Sequence, residues 1–196
     1  MAQYAVIGWG SLIWDLDDLA PNVAGPWRMA AGPRLPVEFA RVSRKRRGAL
    51  ALCLEERIGA PCATHVIASR RDGIGDAAAD LAARERSPEE WIGAVCLASG
   101  HRHGSRPAVI DSVAAWCRDT GWAGAVWTDL PENFAAETGA PFTLDRAVAY
   151  LRTLRGDGLA EAVRYIEEAP LETATPLRTR LGADPWWQGL ALARPR

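Results

Sequence analysis

Residues 4 to 14 read YAVIGWGSLIW, an apolar run that breaks at two glycines and a serine. Its first four residues have the β-branched and aromatic content of a buried strand. Gly8 and Gly10 have no Cβ, so the chain can turn sharply and its backbone can approach another group closely. Successive N–H groups in such a turn can hold a carboxylate or an oxygen that gains negative charge. The stretch therefore predicts a buried strand that ends either in a backbone anion site or in a tight turn packed by Trp9 and Trp14.

The composition indicates a globular protein with one full hydrophobic core. The chain has 196 residues, 48% of them hydrophobic, which suits one domain over residues 1–196. Its formal net charge of −1 favours neither nucleic acid nor an anionic membrane surface. No run approaches the ~20 apolar residues of a membrane span, so we expect a cytoplasmic protein. The four cysteines have no disulfide or metal spacing and are expected to be reduced core residues.

The rest of the chain predicts several strands and helices. After a long loop, residues 35–54 form a predicted β-hairpin with the basic tip Arg44–Arg47, and residues 62–69 a third strand of the same meander. Helices are predicted over residues 72–87, 105–120, 144–155 and 159–168, and short strands over 91–98 and 123–127. The basic tip could contact phosphates, but no aromatic residues are interleaved for base stacking. A solvated turn that protects a strand edge is favoured.

Other candidate chemistries have weaker support. His101 and His103 could bind zinc with Cys96 or Asp111, but their spacing matches no zinc motif, and no metal is expected. The Gly-x-Ser-x-Gly motif of serine hydrolases is absent, and a dinucleotide fingerprint lacks its third glycine. Glu85 is a stronger candidate because it ends a predicted helix, between two arginines and before a Ser-Pro break. Most glutamates at such a position, however, only pair with a neighbour or with solvent.

Several stretches resemble a bacterial and fungal branch of the γ-glutamylcyclotransferase-like superfamily. Residues 6–15 are similar to its signature loop, in which an apolar strand ends in an aromatic-Gly-Ser-Leu element. Residues 35–43 are similar to the hairpin that follows. Residues 81–85, LAARE, resemble the helix end with the family's acid/base glutamate, and residues 91–93 the next strand. The resemblance covers the first half of the chain and implies an α+β fold, a small mixed β-barrel flanked by helices.

The resemblance also implies a function without metal or cofactor. Enzymes of this family release 5-oxoproline when the α-amine of a γ-glutamyl compound attacks its own γ-carbonyl. On this chain Glu85 would be the general acid/base, and the substrate would bind at Trp9, Gly10, Ser11 and Leu12, where backbone amides would hold the carboxylate or the forming oxyanion. The expected partner is a small γ-glutamyl compound of unspecified leaving group. The Glu85→Gln variant should lose turnover while its free energy of unfolding changes by less than about 1 kcal/mol.

The chain departs from the family pattern at two positions of the expected site, and one further residue is a candidate for substrate binding. Trp9 replaces a tyrosine that is common in the family, and Arg86 replaces a common glycine and puts a cation beside Glu85. Arg41, the one charged residue on the Val37 face of its strand, could bind a substrate carboxylate or pair with an acidic neighbour. A fold alone does not determine function, so a ligand-binding or interaction module without catalysis is the alternative. The oligomeric state is left open.

Overall fold

The computed structural model describes residues 3–193. Contacts divide the chain into two compact units, Met1–Leu35 with Ala63–Leu130, and Pro36–Cys62 with Pro131–Arg196. A single domain over residues 1–196 stays a prediction.

Strands and helices are both present throughout. The strands are β1 (Tyr4–Gly8), β2 (Val23–Arg28), β3 (Arg34–Ser43), β4 (Ala49–Leu54), β5 (Ala60–Ala63), β6 (His65–Ser69), β7 (Ile92–Cys96), β8 (Arg102–His103) and β9 (Gly124–Thr128). The helices are α1 (Ile74–Glu85), α2 (Pro107–Thr120), α3 (Phe134–Thr138), α4 (Leu144–Thr153), α5 (Gly156–Glu168), α6 (Pro176–Gly182) and α7 (Pro185–Leu192). Short 3₁₀ turns cover Ser11–Ile13, Asp17–Asn22, Arg44–Arg46 and Glu89–Trp91. No helix within residues 3–193 has the length and apolarity needed to cross a bilayer.

The first unit is built on a six-stranded mixed sheet with the order β2-β6-β1-β9-β7-β8. β1 is parallel to β9 and antiparallel to β6, and all five of its residues are buried, as its apolar sequence predicts. α1 packs on this sheet, where Leu81 joins Val6, Ile67 and Val126 in one hydrophobic cluster. Each such side chain contributes about 1.5–3 kcal/mol when it is fully buried. This packing fixes the last turn of α1 relative to the ends of the central strands.

The second unit combines the sheet β4-β3-β5 with the C-terminal helices. α5 packs against β4, and Phe39 meets Tyr165 edge-to-face at 6.1 Å between ring centroids. Glu38 is fully buried in β3, where it accepts hydrogen bonds from the amides of Phe39 at 2.8 Å and Leu177 at 3.0 Å. Through Glu38 the start of α6 is tied to β3.

The predicted hairpin is present as β3 and β4, but the predicted meander is wrong in its third strand. Residues 62–69 belong to two strands, β5 and β6, which lie in different sheets. The break falls at Thr64, whose buried hydroxyl donates to the carbonyl of Pro33 at 2.7 Å. The expected long loop after Trp14 instead contains a 3₁₀ turn and β2. Gly25, at φ 74°, and a register shift in β2 obscure the strand pattern in the sequence.

The mixed α+β class is confirmed, whereas the closed barrel is not formed by the described residues. The strand order of the larger sheet is linear, so β2 and β8 are its two edges. Closure into a barrel requires edge strands that pair along their length. β8 contributes only two residue pairs to the sheet, Ala94 with His103 and Val95 with Arg102, and is too short to do so.

Candidate active site

The signature stretch forms a compact buried turn at the end of β1. The carbonyl of Gly10 accepts a hydrogen bond from the amide of Ile13 at 3.0 Å, and the carbonyl of Ser11 accepts one from the amide of Asp15 at 2.9 Å. Within residues 3–193, the amides of Ser11 and Leu12 have no acceptor of their own. Ser11 is 8% exposed and Leu12 5%. The turn therefore keeps backbone donors available in a largely dry environment, where they act more strongly than in water.

Arg84 joins this turn to Glu85. Its Nη1 donates to Oε1 of Glu85 at 2.8 Å, and its Nη2 lies 2.6 Å from the carbonyl oxygen of Asp15 and 3.4 Å from Oγ of Ser11. The Arg84 side chain is only 4% exposed, and that of Glu85 is 16% exposed. The guanidinium thus bridges the two elements that the sequence proposes as a site, although Ser11 and Arg84 are 73 residues apart in the chain.

Thr128 completes the cluster because β1 and β9 are parallel neighbours. Ile7 of β1 is paired with Trp127, so Thr128 at the end of β9 lies beside the turn that follows β1. Its hydroxyl donates to Oε1 of Glu85 at 3.4 Å. The carboxyl ends of two parallel strands and the last turn of α1 therefore meet at one place.

The cation beside Glu85 is Arg84 rather than Arg86, which corrects the expectation from the sequence. Arg86 follows the helix in the left-handed region at φ 53°, and its amide donates to the carbonyl of Ala83 at 3.1 Å. This is the backbone conformation that favours glycine after a helix. The side chain of Arg86 is 62% exposed and reaches Asp17 at 3.2 Å. The backbone thus directs Arg86 outward.

Both donors to the Glu85 carboxylate share one oxygen. Oε1 accepts from Arg84 and Thr128, while no donor from residues 3–193 lies on Oε2. A carboxylate arranged in this way can accept a proton at Oε2 and later release it. Sequence reasoning missed Arg84 and Thr128 as site residues. The sequence held one signal for Thr128: Thr128-Asp129, like Ser11-Leu12, follows a short apolar strand, where functional side chains of neighbouring strands can meet.

The predicted site residues do not all fall in one unit. Trp9, Gly10, Ser11 and Leu12 form one turn of the first unit, which also contains Glu85. Arg41 lies in β3 of the second unit, where its guanidinium donates to the carbonyl of Pro131. A register shift between Glu38 and Arg41 interrupts the alternation from which the direction of Arg41 was inferred.

The residues considered for zinc do not form a cluster. His101 and His103 stack with ring centroids 6.5 Å apart, and Asp111 is paired with Arg102. Among residues 3–193 no three His, Cys, Asp or Glu side chains converge as a metal site would require. Burial acts to raise the pKa of the Cys96 thiol, but hydrogen bonds, chiefly from Ser99, outweigh it and hold the pKa below its ordinary value.

A separate cleft lies in the second unit. It has a volume of about 800 Å³ and an open mouth, and none of the site residues proposed from the sequence lines it. Its lining comes from β5, α6, α7 and the residues next to these helices, mainly alanines and prolines, with the charged residues Arg180 and Asp184. The Asp184 carboxylate accepts a hydrogen bond from Arg152 at 2.7 Å and caps α7 by accepting one from the amide of Trp186 at 3.0 Å.

The cluster of Ser11, Arg84, Glu85 and Thr128 is an arrangement that suits proton transfer. It combines backbone donors, a partly buried carboxylate and a fixed cation. A functional assignment must rest on this geometry and on the sequence, because comparison with protein-family models, with curated proteins and with solved structures finds no match for this chain.

Proposed function

We propose that this protein is a cofactor-independent enzyme of the γ-glutamylcyclotransferase-like superfamily, which releases 5-oxoproline from a small γ-glutamyl compound. The observation that carries the proposal is the bridge from Ser11 through Arg84 to Glu85. It brings the turn with free amides next to the one carboxylate that the resemblance implies as acid/base. The four buried cysteines, all within the described residues, form no disulfide, which suits a reducing compartment, so the proposal places the enzyme in the cytoplasm.

In the proposed reaction the α-amino nitrogen of the substrate forms a bond to its own γ-carbonyl carbon, and the bond from that carbon to the leaving nitrogen breaks. Glu85 takes a proton from the attacking amine and gives it to the leaving nitrogen, so no proton is gained or lost overall. The amides of Ser11 and Leu12 stabilise the oxygen that becomes negative in the tetrahedral intermediate. The products are 5-oxoproline and a free amine.

The rate of such a reaction depends on two contributions. Holding the γ-glutamyl chain folded supplies proximity between amine and carbonyl. General acid–base catalysis by a positioned carboxylate typically increases the rate by a factor of about 10² to 10⁴. Glu85 is the group that would transfer the proton in the second contribution, which makes this residue the direct test.

The test is release of 5-oxoproline from a panel of γ-glutamyl amino acids, γ-glutamyl amines and glutathione. We expect turnover by the wild type, and a loss of kcat/KM of about 10² to 10⁴ in Glu85→Gln. Glu89→Gln makes the same change at an exposed position close to Glu85 in the chain and should leave the rate unchanged. Glu85→Asp keeps the carboxylate and should retain part of the activity.

The buried partner of Glu85 changes the expected stability of the Gln variant. Removing one charge of a buried pair leaves Arg84 without its counter-ion, and we expect a loss of about 1–3 kcal/mol rather than a negligible one. Circular dichroism must therefore show that each variant is folded at the assay temperature. Full activity in folded Glu85→Gln would refute the role of Glu85. Ligand binding without product across the panel would support a non-catalytic binding module instead.

A further inference from the structure

We infer that Arg84 is a positioning residue, which occupies Oε1 of Glu85 and thereby presents Oε2 to the substrate. The inference rests on the proposed function, since it concerns the same carboxylate. It assigns a role to a residue that neither the sequence pattern nor the family resemblance singles out.

The first support is the unequal use of the two carboxylate oxygens. Arg84 Nη1 at 2.8 Å and the Thr128 hydroxyl at 3.4 Å both donate to Oε1 of Glu85. An oxygen that already accepts charge-assisted hydrogen bonds is the weaker acceptor for a further proton. Oε2, with no donor from the described part of the chain, is the oxygen left for proton transfer.

The second support is the rigidity of Arg84. Its side chain is 4% exposed, and its Nη2 is held by the carbonyl of Asp15 at 2.6 Å. The helix turn beneath it is closed by the amide of Ser87, which donates to the carbonyl of Ala82 at 3.1 Å. A planar guanidinium held at two edges cannot rotate freely, so it fixes both the Glu85 carboxylate and the turn at Ser11.

The third support is a donor on Arg84 that has no partner. Its Nε is buried and unpaired within residues 3–193, so the fold leaves one hydrogen bond of this cation unmade. A buried arginine that served only to stabilise the fold would be expected to have an acceptor for each of its N–H groups, because an unpaired buried donor costs stability. The incomplete pairing indicates that the position of Arg84 is set by the two groups it bridges.

The first experiment separates positioning from mere stabilisation. Arg84→Met, nearly equal in length but uncharged, should lower kcat by about 10² with KM changed less than about threefold, because the acid/base group loses its orientation. Arg84→Lys should retain an intermediate kcat, since an ammonium can reach Oε1 but cannot also hold Asp15. In Arg84→Ala, added guanidinium ion should raise kcat, whereas added sodium ion should not. A folded Arg84→Met variant with wild-type kcat would overturn the inference.

The second experiment does not depend on turnover. Amide hydrogen exchange at Ile13, Trp14 and Asp15, whose amides are hydrogen-bonded within the turn, should be at least about tenfold faster in Arg84→Met than in the wild type, because the turn loses its tether. Arg118→Met, the same change at an exposed position of the first unit, should leave this exchange unchanged. If the wild type releases no 5-oxoproline but the exchange responds as expected, the proposed function fails and the tether stands. If Arg84→Met does not fold, Arg84→Lys carries both measurements, and unchanged exchange together with unchanged kcat overturns the inference.

Discussion

Arg84 and Glu85 are adjacent in the chain and opposite in charge, yet they differ in what they can contribute. Arg84 is held by three acceptors in a dry environment, whereas Glu85 keeps one oxygen without a donor from the described residues. A cation fixed by several acceptors can hold its neighbours in place, while a carboxylate oxygen without a donor can exchange a proton. At the scale of single residues, this difference is what distinguishes the proposed acid/base from the cation beside it.

Glu38 shows how a buried carboxyl can serve structure instead. Burial raises its pKa above the ordinary value, although hydrogen bonds from Thr175 and from the amides of Phe39 and Leu177 act in the opposite direction. The nearby charge of Glu55 raises the pKa further. The folded protein therefore holds the proton of Glu38 more tightly than the unfolded chain does.

This shift predicts a stability that falls with pH. Between the pKa of an unfolded glutamate, about 4.3, and the raised pKa of Glu38 in the folded state, the folded state binds more protons, so the free energy of unfolding declines as pH rises. Glu38→Gln removes this contribution. Urea unfolding from pH 4 to pH 7 should show the wild type losing stability relative to the variant. Glu56→Gln, at an exposed position, should run parallel to the wild type. A wild type that gains stability over Glu38→Gln as pH rises would contradict the direction of the shift.

Among the elements, β7 and β9 lie so close together that there is no room for a Cβ at Gly93. Gly93 is paired with Trp127 in the ladder, and a Cβ at Gly93 would lie 2.0 Å from Cε2 of the buried indole ring. Trp127 is fully buried, so the ring has no space into which to move. The glycine is therefore required by its neighbour and not by its own backbone conformation.

We expect Gly93→Ala to destabilise the protein by about 1–3 kcal/mol or more, through overpacking. Thermal or urea unfolding measures this directly, with near-ultraviolet circular dichroism reporting the tryptophan environment. Gly75→Ala is the matched control, because a Cβ at Gly75, in the first turn of α1, would meet no atom within 4 Å. That change should be neutral or slightly stabilising, since alanine favours a helix. Equal stability of Gly93→Ala and the wild type would show that the ring is not confined as the structure indicates.

At the scale of the whole molecule, the net charge is close to zero. At the basic hairpin tip too, the arginines are paired with acidic side chains. Arg44 pairs with Glu137 at 3.1 Å, Arg46 with Glu161 at 2.7 Å, and Arg47 with Asp157. The guanidinium of Arg46 also lies over the ring of Tyr165 at 4.4 Å. The acidic partners of the C-terminal helices thus offset the charge that a phosphate backbone would otherwise attract.

The protein should therefore not be retained on immobilised single- or double-stranded DNA or on RNA, even at about 50 mM salt, where phosphate contacts are strong. Asp157→Lys changes the charge beside Arg47 from negative to positive and should introduce retention that disappears as salt increases. This variant also shows that the column can detect a basic tip. Salt-sensitive retention of the wild type would contradict the prediction and would favour a nucleic-acid partner.

Local sequence patterns determined several elements by themselves. The buried strand β1, the hairpin of β3 and β4, and the helix α2 between its first-turn proline and Gly121 all follow from periodicity and from capping residues. α1 was also predicted, within the helical pattern of residues 72–87. Such features depend on residues within a few positions of one another, which is why one sequence is enough to find them.

Only the tertiary structure decided the composition of the candidate site. Ser11, Glu85 and Thr128 are separated by tens of residues, and they meet because β1 and β9 are parallel neighbours and α1 packs on the same sheet. The order of strands in a sheet arises from long-range pairing, which no local pattern encodes. The sequence could therefore propose Glu85 and the turn at Ser11, while the bridge of Arg84 between them came from the packing of α1.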